Sequence, residues 1–348
     1  MTDAQKIDLT ERQRAILRHV VEDYVANGEP VGSKSLVERG GLPVSPSTVR
    51  NELAELERLG LLTHPHTSAG RVPTEAGYRF YADVVLGQLE PRPSPFPLDL
   101  AVARSEVEGA LQATTETLSQ VTRLLALVSA PPLQTTTVRH VEVLLLQPQV
   151  IMVVVITSTG GVSKRIFALS EPVDRGLATW AGEYLNERLT GLGLGSGLLR
   201  RRFEDPGLSP RELEFLGLLR PAFTDLLAGQ EQRLYVGGAA TLLGEVRADE
   251  LEACQRLLEA LERRAEILEL LGDAIGSRGP IVRVGGDLED PSLRQAALVG
   301  ASYGLSNRTL GAVSLLGPLR MDYENAIRSV RAAAHELSRF VESVYEEN

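Results

Sequence analysis

The residues with the clearest chemical potential lie between positions 47 and 58, in a segment predicted to be helical. At 3.6 residues per turn, Ser47, Arg50, Asn51, Ala54 and Arg58 gather on one side of that helix. A guanidinium can form two parallel hydrogen bonds to guanine and a carboxamide can do the same to adenine, while a small alanine lets a helix lie deep in a groove. This side of the helix is therefore suited to reading base edges in duplex DNA.

The opposite side of the same helix is apolar. It collects four branched side chains that could hold the helix on its own domain: Val49, Leu53, Leu56 and Leu59. Glu52 and Glu55 fall on the flanks, and Glu57 lies closer to the polar side but near the far end. An ordinary amphipathic surface helix explains this division equally well, so the pattern alone leaves both interpretations open.

Two predicted helices precede this one. The first covers residues 10–28, where Thr10 and Gln13 have the spacing of a capping box and Gly28 ends the helix. A short second helix is capped by Ser33 and stopped by Gly40 and Gly41. The third, already described, begins at Ser45 followed by a proline at the first helical position, reaches Leu59 and stops at Gly60. The two short helices and the turn between them are typical of a helix-turn-helix.

A two-stranded wing is predicted directly after the third helix. Residues 61–64 form one strand, 65–70 a turn and 71–72 the returning strand. The wing carries donors suited to phosphate or minor-groove contacts: His64, His66, Thr67, Ser68 and Arg71. His64 and His66 have no third metal ligand nearby, so no metal site is expected. A fourth helix begins at Pro73-Thr74-Glu75, with Tyr78, Phe80 and Tyr81 as core residues.

Charge and cysteine content narrow the classes of protein. The net charge is −10 and the pI about 5.2, which disfavours a polybasic nucleic-acid binder or a cationic membrane-surface protein. Residues 1–89 carry ten Lys and Arg against twelve Asp and Glu, so any positive charge for DNA must be local to the third helix and the wing. A winged helix used for protein contacts therefore remains open.

Cys254 is the one cysteine, which excludes an internal disulfide and a Cys-based zinc finger and favours a reducing, cytoplasmic location. The first thirty residues are charged throughout, so no signal peptide is expected, and no segment is predicted to span a membrane.

Residues 90–103 form a proline-rich linker, and the remainder alternates between helical and strand-like segments. A long helix is predicted over 104–128. Strands are predicted at 138–146, 150–157, 162–169, 234–236, 281–284, 295–302 and 309–316, and helices near 173–190, 210–227, 249–271 and 322–346. The apolar stripes at 251–268 and 327–344 fit either burial against their own sheet or an intermolecular seam.

Two enzyme patterns in the sequence lack the context that their chemistry requires. None of the three lysines follows a glycine, so a Walker-type phosphate loop is absent. The run Gly300-Ala301-Ser302-Tyr303-Gly304 matches a nucleophile elbow, with Asp322 and His335 in hydrolase order. The elbow requires a helix straight after the serine, whereas a turn into another strand is predicted there. The sequence therefore predicts a protein that is not an enzyme.

Several strings resemble one bacterial family. They are Pro30-Val31-Gly32-Ser33-Lys34, the run Val44-Ser45-Pro46-Ser47-Thr48-Val49-Arg50-Asn51, and the run from Pro65 to Thr74. Together they resemble the heat-inducible transcription repressor HrcA. The run Gly317-Pro318-Leu319-Arg320-Met321-Asp322-Tyr323 is similar to that family's Gly-Pro-Thr-Arg-Met-Asp-Tyr, with Leu319 replacing threonine. Gly285-Gly286-Asp287-Leu288 departs from the family's Gly-x-Glu-Asn pattern.

This resemblance implies an α+β multidomain fold: an N-terminal winged helix-turn-helix, then a GAF-like α/β domain with an inserted dimerising domain. The expected boundaries are 1–89 for the winged helix, 104–170 with 275–348 for the GAF-like domain, and 171–274 for the insert. It further implies a homodimer that binds an inverted-repeat operator (CIRCE), represses chaperone operons of the groESL and dnaK type, depends on the GroEL chaperonin and loses activity on heat stress.

The expected DNA contacts combine the third helix and the wing. They are Ser47, Thr48, Arg50, Asn51, Arg58, His66, Thr67, Ser68 and Arg71. No cofactor and no membrane partner are expected. The alternative is a winged-helix regulator whose GAF-like domain senses a small molecule.

Overall fold

The computed structural model describes residues 8–40, 44–65, 70–90, 92–98, 100, 107–131, 137–158, 161–194, 196–228, 234–245, 250–277, 279–306 and 308–346. Over these ranges, none of the helices combines the length and the apolar character that a membrane crossing demands.

The N-terminal unit is a winged helix, as the sequence predicts. Its elements are α1 (Glu11–Asn27), α2 (Ser33–Gly40), α3 (Pro46–Arg58), β1 (Leu62–Thr63), β2 (Val72–Pro73) and α4 (Glu75–Gly87). Thr10 and Gln13 form the reciprocal capping box, and Gly28 ends α1 in the left-handed region with φ 69°. Ser45 caps α3, whereas Ser33 is itself the first residue of α2. The local signals therefore determine these boundaries to within a residue or two.

The helix predicted over 104–128 is wrong at its C-terminal end. Helix α5 covers Val107–Thr122, Arg123 turns the chain with φ 58°, and β3 follows as Leu125–Ser129. All five residues of β3 are buried. A short strand covered on both faces is a continuous apolar run, and its spacing also satisfies a helical stripe. Burial in a sheet decided between the two.

Strand β3 belongs to a five-stranded antiparallel sheet. The order is β7 (Leu234–Gly237), β3, β10 (Arg308–Pro318), β9 (Ala296–Leu305) and β8 (Ile281–Val284). Helices α10 (Ala239–Glu245), α11 (Leu251–Glu262), α12 (Arg264–Gly276) and α13 (Tyr323–Glu346) complete this unit with α5. Consecutive residues of β9 and β10 are buried, because α12 and α13 pack against the same two strands.

The second sheet is a meander of three antiparallel strands. Its strands are β4 (Val138–Gln147), β5 (Val150–Thr157) and β6 (Val162–Ala168), and its helices are α6 (Arg175–Leu189), α7 (Gly197–Arg202), α8 (Pro210–Leu219) and α9 (Pro221–Ala228). One face of the sheet packs on these helices in a core of its own, with Ile151, Val153 and Phe223 fully buried. The segment 137–228 therefore folds around a separate core.

This grouping differs from the expected boundaries of the insert at 171 and 274. Strands β4–β6, expected with the GAF-like unit, share a core with α6–α9, while β7 and α10–α12, expected in the insert, pack with the five-stranded sheet. Strand pairing decides which segments share a sheet, and pairing across long loops leaves no signal in local periodicity.

The two apolar stripes have different outcomes. In α13, Ile327, Val330, Leu337 and Val341 are fully buried in the chain's own core, so burial against the sheet is confirmed there. The helix predicted near 249–271 is instead two helices, α11 and α12, separated at Arg263.

Candidate nucleic-acid interface

Helix α3 is fastened to its own domain by its apolar side. Val49 and Leu56 are fully buried and Leu53 is 5% exposed. A second attachment is polar, since Arg12 Nε on α1 donates to Glu52 Oε1 at 2.7 Å and Gln13 Nε2 donates to Glu52 Oε2 at 3.0 Å. Helix α3 therefore has a fixed orientation on α1.

The other side of α3 faces solvent. Ser47, Arg50, Asn51, Ala54 and Arg58 are all exposed, as the helical wheel predicts. Across the ranges that the structure describes, neither the Arg50 nor the Asn51 side chain has a hydrogen bond or ion pair to another residue. Their donors and acceptors are available to an outside molecule, which is what base readout needs.

The N-terminus of α3 is a cluster of hydroxyls. Ser45 Oγ accepts from Thr48 N at 3.2 Å and lies 2.8 Å from Ser47 Oγ and 2.9 Å from Thr48 Oγ1. The positive end of a 13-residue helix and exposed hydroxyls suit a phosphate of the DNA backbone. This hydroxyl cluster lies at the same end of α3 as the exposed side chains of Arg50 and Asn51.

The three acids of α3 all have cationic partners. Glu52 binds Arg12, and Glu55 accepts two hydrogen bonds from Arg58, at 2.9 Å from Nε and 2.6 Å from Nη2. Glu57 Oε2 lies 2.8 Å from Arg71 Nη2. Pairing weakens the local negative field, so a winged helix with a net charge of −2 can still present a cationic centre at Arg50. Arg58 is therefore engaged with Glu55 through Nε and Nη2.

The wing is held close to the helix-turn-helix. Strands β1 and β2 pair through Leu62 with Pro73 and Thr63 with Val72, and Arg71 exchanges two backbone hydrogen bonds with Val31, at 2.8 and 2.9 Å. A Cβ at Gly70 would lie 2.6 Å from the Val31 backbone, so only glycine permits this approach. The predicted contacts His66, Thr67 and Ser68 lie outside the described residues.

Arg71 is placed differently from an exposed phosphate ligand. Its side chain is 24% exposed and binds Glu57, whose other carboxylate oxygen contacts His64 Nδ1. Glu57 thereby joins the end of α3 to the residue that follows β1 and to the residue that precedes β2. The helical pattern of the sequence does not show this role of Glu57, because neither of its two partners lies on α3. Arg71 thus connects the wing to α3.

The pKa of the Glu57 carboxyl reflects this network. Partial burial acts to raise the pKa, but the hydrogen bond from His64 and the charge of Arg71 outweigh it and hold the pKa below its usual value. A depressed carboxyl pKa contributes stability that is present above the unfolded value, about 4.3, and lost as the pH falls through the folded value. The connection therefore persists at neutral pH.

We expect Arg71→Ala to lower the free energy of unfolding by about 1 kcal/mol, because Glu57 loses its charged partner in a partly desolvated setting. Urea denaturation measures this, and Arg50→Ala, which removes an exposed side chain, is the matched control and should change stability little. If Arg71 were instead an exposed phosphate ligand, Arg71→Ala would leave the free energy of unfolding unchanged. It would flatten the salt dependence of DNA binding by about one unit.

The nucleophile-elbow pattern lacks its structural context. Ser302 lies within β9, which continues to Leu305 before turning into β10, and Ser302 Oγ donates to the Ser277 carbonyl at 3.1 Å. His335 is inside α13. Where residues are described, no group of three or more His, Cys, Asp or Glu side chains is arranged to hold a metal ion.

Two family models match the chain, one over the winged helix and one over most of the remainder. Residues 8–83 match the family described as "Winged helix-turn-helix transcription repressor, HrcA DNA-binding". Residues 108–327 match "HrcA protein C terminal domain".

Two relatives that match nearly the whole chain carry the same name. The Heat-inducible transcription repressor HrcA of Parafrankia sp. (strain EAN1pec) is 37% identical over 344 residues, covering 94% of this chain and 97% of that protein. The protein of the same name from Streptomyces avermitilis is 37% identical over 349 residues, covering 96% and 99%. A crystal structure of a hypothetical protein has a TM-score of 0.66 at 24% identity over 97% of this chain and 100% of that one, which supports the fold alone.

Proposed function

Because the chain belongs to the family of heat-inducible transcription repressors HrcA, we propose that it acts in the cytoplasm as a homodimer on an inverted-repeat operator (CIRCE). In this proposal it represses chaperone operons of the groESL and dnaK type. It stays active while the GroEL chaperonin is available to it and loses repression when heat stress draws the chaperonin away.

The exposed side of α3 carries the DNA part of the proposal. Arg50 and Asn51 project from a helix whose other side is buried, and each of the three acids on that helix is paired within the chain. A surface helix that only covers its own core would need neither the unpaired side chains of Arg50 and Asn51 nor the pairing of its three acids. Recognition through the major groove needs a fixed helix with unengaged bidentate donors.

The outer face of the three-stranded sheet supports the dimer. Strand β5 is apolar on both faces, yet the helices of its unit cover only one. On the uncovered face, Leu144, Met152 and Ile166 form one cross-strand row, with Leu144 37% and Ile166 59% exposed. A strand with two apolar faces is typical of burial on both sides.

Charge placement favours a second copy of this chain as the occupant of that face. The next row across the sheet runs Glu142, Val154, Lys164, with an acid at one edge and a base at the other. A two-fold axis that lies between the two faces and runs parallel to β5 would bring Glu142 of each protomer near Lys164 of its mate, which is the self-complementarity an isologous dimer needs.

A footprint tests the proposal. The protein should protect two half-sites of a CIRCE duplex, separated by whole helical turns, and adding GroEL with ATP should increase the protected fraction at fixed protein concentration. Protection of one half-site only would contradict the dimer geometry. Protection that GroEL leaves unchanged, with a heat-denatured client present or absent, would contradict the chaperonin part alone.

A further inference from the structure

The first half of α4 in the winged helix docks on the turn after β8. Arg79 Nε donates to Asp287 Oδ2 at 2.7 Å and Arg79 Nη2 donates to the Val284 carbonyl at 3.0 Å. Asp287 Oδ2 also accepts from Val284 N at 3.1 Å, so one carboxylate both closes its own turn and binds the arginine. Gly286 N donates to Glu75 Oε1 at 2.9 Å.

A side chain at position 285 of the same turn would displace the Glu75 carboxylate from Gly286. Gly285 has φ 53°, and a Cβ there would lie 2.3 Å from the carboxyl carbon of Glu75. The turn is part of the segment where the sequence departs from the family's pattern. That segment is a contact surface for the DNA-binding unit.

A second contact comes from the run that ends β10 and begins α13. Arg320 Nη1 donates to the Val25 carbonyl at the end of α1 at 2.7 Å, while its Nε and Nη2 donate to the two carboxylate oxygens of Glu250 at 2.7 and 3.0 Å. Arg320 and Glu250 are 14% and 13% exposed. This arginine therefore joins α1 to the unit of the five-stranded sheet through charge-assisted bonds shielded from water.

Aromatic rings fill the space between these two polar contacts. Tyr323 at the start of α13 stacks on Tyr78 of α4, with ring centroids 5.7 Å apart, and meets Tyr81 edge-on at 6.4 Å. All three rings are buried. Paired charges on both sides of a buried aromatic contact resist both sliding and rotation.

These contacts continue to the recognition helix through α1. Arg320 binds α1 near the C-terminal end of that helix, at Val25. Near its N-terminal end, α1 binds α3, because Arg12 and Gln13 donate to Glu52. The exposed side of α3 therefore has a defined orientation relative to the five-stranded sheet.

We propose that Arg79, Asp287 and Arg320 are positioning residues that fix the distance and angle between the two recognition helices of the dimer, so that the protein accepts only one half-site spacing. This inference rests on the proposed dimeric repressor. We call the three residues the clasp. They touch no DNA and act through α4 and α1.

The clasp matters because a change in the distance between the half-sites also rotates one half-site relative to the other. Each added base pair rotates the second half-site by about 34° around the duplex axis, since a turn has 10–10.5 base pairs. Units joined by a mobile linker tolerate such changes, whereas clasped units lose the second contact. In a dimer held by the clasp, a spacer that is one or two base pairs too long or too short prevents contact with the second half-site.

The test compares Asp287→Asn with the intact protein on CIRCE duplexes whose spacers are changed by one, two and five base pairs, and on a single half-site. We expect the variant to bind the single half-site within about twofold of the intact protein and the natural repeat about five- to tenfold more weakly. It should also lose less affinity than the intact protein as the spacer changes. Arg79→Ala should behave alike, and the double variant should add nothing further.

Asp273→Asn is the matched control, because Asp273 pairs with Arg283 at 3.0 Å within the sheet's own unit. It should keep the spacing profile of the intact protein. If Asp287→Asn keeps that profile too, or weakens the single half-site as much as the repeat, the clasp is overturned while the repressor stands. If the intact protein binds the repeat no better than the single half-site, the proposed dimeric repressor fails first.

Discussion

Arg50→Ala is expected to weaken binding to the operator by about 1–3 kcal/mol, roughly 5- to 150-fold, and to blur its sequence preference. Arg50 is exposed on the outer side of α3 and, among the residues described, has no ion pair that folding would lose. The whole cost therefore falls on recognition. Asn51→Ala should lose a similar amount at a different base pair, since a carboxamide pairs with adenine.

Fluorescence anisotropy with the operator and a shuffled duplex measures both variants. Arg211→Ala, which removes an exposed arginine from α8 in another unit, is the matched control for net charge. A loss that is equal on operator and shuffled DNA would show that Arg50 contacts phosphate and does not read a base. Unchanged affinity in both variants would mean that α3 does not enter the groove.

Ile166→Asp is expected to convert the dimer to a monomer and to lower operator affinity by about 100-fold or more, towards the affinity of one half-site. Ile166 is 59% exposed on the uncovered face of the three-stranded sheet, so a carboxylate there is tolerated by the separate chain. In the proposed dimer that carboxylate would be buried against apolar side chains, where its desolvation is not compensated.

Sedimentation gives the oligomeric state and anisotropy gives the affinity in the same buffer. Leu243→Asp places the same charge at a 46% exposed leucine of α10, outside that face, and should leave the dimer intact. A dimer that survives Ile166→Asp would move the interface elsewhere. A monomer that still binds the repeat at full affinity would contradict the link between dimer and operator.

The winged helix and the chemistry of its third helix follow from local signals in the amino-acid sequence. Thr10, Gly28 and Ser45 set helix ends through hydrogen bonds to residues at most four positions away, which leaves a readable local pattern. The division of α3 into an apolar and a polar side follows from the helical period alone. The strands at 150–157 and 281–284 have the bounds that the sequence predicts, because their β-branched residues are a local signal.

Features that depend on partners distant in the chain are set by packing and strand pairing. Residues 125–128 satisfy a helical stripe and a buried strand equally, and pairing with β7 and β10 settles the matter. Glu57 becomes a link between α3 and the wing only because Arg71 lies beside it. Arg79 and Asp287 are 208 positions apart. Local periodicity reports the face a residue turns to its own element, whereas the choice of partner across the chain is made by packing and strand pairing, which no single segment encodes.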